Sequence, residues 1–162
     1  RYGLRNIPGI KLFLIAMTWS LSCVLLPIVE LESTELITIP TGDIILLVAK
    51  RFLFVAAITV PFDIRDLFED KRYELKTIPV VLGERNAYLF CSMLLAIYVV
   101  LLFIFNNQFD LNFLGLTITV ILTGWLIFKS EWERNEYYYF LFLDGTLILQ
   151  YLVLQLLDLL KN

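Results

Sequence analysis

Five apolar runs, each about 17 to 21 residues long, constrain this chain more than any other feature, because a helix of that length crosses a ~30 Å hydrocarbon core. They are Lys11–Val29, Ile44–Phe62, Ala87–Phe105, Asn112–Phe128 and Tyr137–Leu157. The chain is 59% hydrophobic with a mean hydropathy of +0.78, far from the soluble average. The expected fold is all-α, a polytopic transmembrane bundle of five helices whose short connections leave no room for a soluble domain.

Orientation follows from Lys and Arg outside the runs. Counting Lys11 with its flank, the N-terminal segment carries Arg1, Arg5 and Lys11, the 63–86 loop carries Arg65, Lys71, Arg72, Lys76 and Arg85, and Lys129 and Arg134 follow Phe128. The opposite side carries Lys161 alone, and it holds Glu30, Glu32, Glu35, Asp43, Asp110 and Asp158. This bias falls on alternate connections, so it supports five spans and places the 63–86 loop in the cytoplasm. The net charge of −3 says little about partners, because the two signs are segregated by side, and no nucleic-acid partner is expected. There is no histidine, which excludes His general bases, His-ligated haem and His zinc sites. Cys23 and Cys91 lie inside runs, where neither a disulfide framework nor a CxxC site is indicated. The chain starts at Arg1 without a cleavable leader pattern, and we expect that start to be a cut end.

Chemistry concentrates in Phe62 to Gly83, FDIRDLFEDKRYELKTIPVVLG. If the second run stays helical through it, Asp63, Asp66 and Asp70 fall at i, i+3 and i+7, within roughly 60° on one face. Two carboxylates ~6 Å apart repel by about 3 kcal/mol at an effective dielectric near 20, so the face calls for a counter-charge. A divalent cation such as Mg²⁺ supplies one, since it is held by one or two carboxylates while phosphates and waters fill its other positions. Arg65, Lys71, Arg72 and Lys76 are then partners for phosphate oxygens. The alternative is a solvated loop whose opposite charges pair at i, i+4.

These residues resemble the second aspartate-rich motif of the UbiA superfamily of intramembrane prenyltransferases. The resemblance runs through Asp63, Asp66 and Asp70, then Lys71, then Lys76-Thr77-Ile78-Pro79-Val80, closing with Leu82-Gly83. It implies that Asp66 and Asp70 are the catalytic metal-binding pair, with Asp63 a further ligand at a position where the family also allows Asn. One run precedes the motif-bearing run and three follow, as in helices five to nine of that family. The resemblance therefore implies that residues 1–162 are the C-terminal half of the domain, and that a missing N-terminal half carries the first aspartate-rich motif. Tyr2 and Arg5 are carried over as counterparts of a Tyr and a basic residue before the fifth helix, at a spacing one residue short. The implied reaction is Mg²⁺-dependent transfer of a prenyl group from a polyprenyl diphosphate to an acceptor, often aromatic, within the bilayer.

Three charges inside the runs need separate accounts, since an intramembrane charge costs a few kcal/mol unless it snorkels or faces the bundle interior. Arg51 lies nearer the aspartate face than Lys50 and is a candidate lining residue of the cavity, against an ion pair or snorkelling. Asp144, before Gly145 and Thr146, is a second candidate, against capping or an interhelical hydrogen bond. Two other classes compete for the whole chain. CDP-alcohol phosphotransferases use a D-x-x-D-G pattern followed by Ala-Arg, which Leu67 after Asp66 does not match. A transporter half, or a protein that binds isoprenoid lipid without turnover, remains open at the level of sequence.

Overall fold

The computed structural model describes residues 7–34, 38–105, 111–130 and 135–161. Among them there is no strand, and five helices are long and apolar enough to cross a membrane. The chain is thus an all-α bundle of a multi-pass membrane protein. The first span, Ile10–Ser33, is α1 (Ile10–Ser20), a π-helical turn at Leu21–Leu25, and α2 (Leu26–Ser33). The second is α3 (Thr41–Arg65), followed by the short α4 (Leu67–Arg72) and α5 (Ile78–Leu82). Then come α6 (Glu84–Phe105), α7 (Leu111–Phe128) and α8 (Gly145–Lys161), the last preceded by a π-helical turn at Tyr138–Leu143. Each expected run coincides with one of these spans to within a few residues at its ends.

α3 is the axis of the bundle. It begins after Pro40 with Asp43 in its first turn and ends with Arg65 in its last, charges that suit the helix dipole. Every residue from Phe54 to Pro61 is buried, the pattern of a helix enclosed on all sides. α1 packs on one flank of α3 and α6 on another, and α7 bridges α6 to α8. Pro61 lacks the N–H that would reach the Ala57 carbonyl one turn earlier, and in lipid that acceptor has no water to turn to. Cys91 of α6 takes its place, its Sγ donating to Ala57 O at 3.5 Å. The last carbonyls of α7 are met the same way, from outside the helix. Tyr138 Oη donates to Leu126 O at 2.7 Å, and Tyr88 Oη donates to Ser130 O just beyond the helix end.

α7 and α8 approach closely at Gly115, where an added Cβ would lie 2.6 Å from Leu157 Cδ1 and 2.9 Å from Val153 Cγ1. Outward faces are apolar, with Leu26, Ile45, Ile118, Ile121, Leu141 and Ile148 among the large exposed side chains. Such a surface suits lipid rather than water. α1 packs on α3 and α8 on α7, without a packed interface between α1 and α8, and that leaves a groove floored by α3.

Candidate functional site

The helix carrying the aspartates is not continuous. α3 stops at Arg65, Asp66 sits in a turn at φ −86°, ψ 7°, and α4 starts at Leu67. The backbone bonds nevertheless carry across the break, with Asp66 N donating to Phe62 O at 3.0 Å and Asp70 N to Asp66 O at 2.9 Å. The three aspartates therefore stay near one another but acquire different surroundings.

Asp63, in the last turn of α3, is 1% exposed. Lys11 Nζ of α1 donates to its Oδ1 at 2.7 Å, while Oδ2 is buried without a hydrogen-bond partner. Asp70 in α4 is 5% exposed, and its Oδ2 is likewise buried and unpartnered. Asp66 is the exception, since both of its oxygens are engaged by Arg65, Nε to Oδ1 at 2.8 Å and Nη2 to Oδ2 at 3.3 Å. Arg65 is held in turn over two ring faces, its Cζ 5.6 Å from the Phe62 centroid and 5.2 Å from that of Tyr139. Among the described residues, no set of three or more His, Cys, Asp or Glu converges with metal-ligand spacing. The expected three-aspartate face is replaced by two buried carboxylates and one half-buried ion pair.

Of the expected phosphate partners, Lys71, Arg72 and Lys76 are exposed around this cluster. The loop bearing Lys76 docks onto the start of α1, with Gly9 N donating to Lys76 O at 3.2 Å. Gly9 is in the left-handed region at φ 73°, and a Cβ there would come within 3.0 Å of Ile78 Cδ1, so the docking favours glycine on both counts. Tyr2 and Arg5 lie outside the described residues.

Sequence reasoning missed Lys11 as a partner of this cluster and Thr77 as a buried polar group in the segment after it. Lys11, which the charge count assigns to a flank, is the counter-ion of Asp63 and acts electrostatically on Asp66 and Asp70 as well. Thr77, 4% exposed at the start of α5, has a buried Oγ1 with no partner. An i, i+4 pattern marks pairs on one helix, and neither residue belongs to one.

The groove between α1 and α8 has a volume of about 670 Å³. Lys11 and Asp63 line one end and Arg51 the other, ~18 Å away along α3 at 1.5 Å per residue. Val55, Ile58 and Phe62 form apolar floor between them, and Asp144, just before α8, lines the groove as well. Arg51 also borders a smaller cavity of about 340 Å³ with Lys50, Tyr98 and Gln150, and its Nε is buried without a partner. A further cavity of about 570 Å³ reaches Lys76 and Thr77. Lys11 and Ile15 line both this cavity and the groove, and Asp63 lines the groove.

No protein-family model, curated protein or solved structure matches the chain.

Proposed function

We propose that this chain is the diphosphate-binding half of a UbiA-like prenyltransferase, which moves a prenyl group from a polyprenyl diphosphate to an acceptor of aromatic character inside the bilayer. The observation that carries this reading is the pair of buried aspartates, Asp63 and Asp70, each with an unpartnered carboxylate oxygen, beside the mouth of an apolar groove. Buried anionic oxygens without partners are costly unless a cation completes them.

The residues fit Mg²⁺. The two carboxylates are hard oxygen donors, and Mg²⁺ usually takes few protein ligands and leaves the rest to phosphate and water. Bound there, the ion would neutralise charge developing on a diphosphate leaving group. The protein's own residues do the remainder. Lys71, Arg72 and Lys76 surround the cluster as donors to phosphate oxygens, and Lys11 is within reach of the same anionic centre. The apolar stretch Val55–Phe62 of the groove takes the isoprenoid chain and excludes water from the reacting carbon. Arg51 and Asp144, the polar groups bordering the deeper groove, are placed to orient the acceptor. The first aspartate-rich motif belongs, on this reading, to the half of the domain outside this chain.

The test is a panel of prenyl diphosphates against candidate acceptors, assayed with the complete protein in membranes. Mg²⁺-dependent release of diphosphate coupled to prenyl transfer is expected, and the 162-residue chain alone should be inactive. Movement of a lipid diphosphate across the membrane without cleavage would replace the enzyme by a transporter.

The reading also places the aspartate cluster on the cytoplasmic side, motivated by the Lys/Arg asymmetry. Glu84, exposed at the start of α6 on that side, serves as the reporter. A cysteine substituted there is expected to react with an impermeant maleimide only in inside-out vesicles; labelling confined to right-side-out vesicles would invert the topology.

A further inference from the structure

Lys11 satisfies Asp63 in a way that bears on how a cation enters. The bond at 2.7 Å is charge-assisted, and its acceptor is the most deeply buried carboxylate of the cluster. The donor is different in kind, a long flexible side chain that is 46% exposed. It lines both the groove and the cavity that reaches Thr77 and Lys76. Its ammonium acts on all three aspartates, as a metal ion at the cluster would. A second cation on Asp63 at that distance is disfavoured by the first, because like charges ~4 Å apart repel by about 4 kcal/mol at an effective dielectric near 20.

Resting on the prenyltransferase reading, we propose that Lys11 is an exchangeable internal cation: it occupies the aspartate cluster until a divalent cation arrives with a diphosphate, and then transfers its ammonium from Asp63 to a phosphate oxygen. Without diphosphate, a divalent ion must displace the ammonium from Asp63 and leave it with no anionic partner. With diphosphate, the displaced ammonium gains a new acceptor, so the two ligands favour each other's binding through Lys11. Linkage makes that coupling reciprocal. Lys11 is then a positioning residue that discourages empty metal loading.

The experiment measures Mn²⁺ affinity of the complete protein in nanodiscs by electron paramagnetic resonance, with and without inorganic pyrophosphate. Lys11→Gln keeps a hydrogen-bond donor towards Asp63 and removes the charge. It is expected to bind Mn²⁺ at least about tenfold more tightly than wild type without pyrophosphate, and to gain less when pyrophosphate is added. Lys11→Arg keeps the charge and the pair, and its affinity for Mn²⁺ alone should not exceed that of wild type. It guards against a Gln variant that misfolds, because tighter Mn²⁺ binding by Lys11→Arg overturns the proposal regardless. Equal affinities in wild type and a folded Gln variant, with pyrophosphate-dependent binding intact in both, would overturn the exchange and leave the prenyltransferase reading standing. No Mn²⁺ binding in any variant, with or without pyrophosphate, would overturn that reading and the exchange with it.

Discussion

Replacing Asp70 by Asn is expected to lower prenyl transfer by the complete protein about a hundredfold, with membrane insertion and thermal stability unchanged. Asp70 is 5% exposed, and its Oδ2 has no partner in the protein. Asn keeps the shape and removes the charge, so the substitution tests the electrostatic role. Losing one group that stabilises charge in a transition state commonly costs on the order of 3 kcal/mol, which is about a hundredfold in rate. Glu69 is the control, being its acidic neighbour on the exposed face of the same short helix. Glu69→Gln should retain turnover within about twofold, as expected of a surface charge screened by water. Equal losses in the two variants would mean that the loop acts only through its overall charge. Near-wild-type turnover in Asp70→Asn would remove the basis for a metal-assisted reaction here.

The spans were legible because their signal is local and summed over many residues: no stretch as apolar as Ile44–Phe62 has an alternative to a helix in lipid. The site was legible in composition and not in arrangement. The expected continuous acidic face required the helix to persist beyond Phe62, where the apolar run that drives it ends. In the structure the helix breaks at Asp66, and the break accompanies Arg65 folding over Phe62 and Tyr139 and closing on Asp66. Tyr139 lies 74 residues from Arg65 in sequence, so no local pattern announces that contact. The sequence reading ranked Asp66 with Asp70 and set Asp63 behind them; burial and free oxygens instead group Asp63 with Asp70. Lys11 was hidden for the same reason, since its partner is 52 residues distant and its charge was already accounted for by the positive-inside pattern. Arg51 and Asp144 stood out because a charge within an apolar run is conspicuous, and both border the groove. The π-helical turns at Leu21–Leu25 and Tyr138–Leu143 carry no compositional mark, as both are as apolar as the helices around them.

The largest stability effect is expected at the Lys11–Asp63 pair, and it should be asymmetric. Lys11→Met strands a carboxylate that is 99% enclosed in the protein, given its exposure of 1%. Removing one partner of a buried pair typically costs about 3–5 kcal/mol, because the remaining charge must stay uncompensated, take up a proton or draw in water. Asp63→Asn leaves behind an ammonium whose side chain is 46% exposed, which can turn to solvent or lipid headgroups. Its cost should be near 1 kcal/mol, the value of an ordinary hydrogen bond. Thermal unfolding of the complete protein in detergent can rank the two variants directly. The same measurement with Mn²⁺ present separates a plain structural pair from a cation site. A ligand that binds only the folded state adds about 2.7 kcal/mol at a hundred times its dissociation constant. Mn²⁺ alone should therefore restore much of the stability lost in Lys11→Met, where it takes the place of the ammonium, and stabilise Asp63→Asn far less. If Lys11→Met is as stable as wild type, Asp63 is compensated by something other than Lys11. If it is destabilised and Mn²⁺ gives nothing back, the pair is a structural clamp, and the cluster does not accept a divalent ion at Asp63.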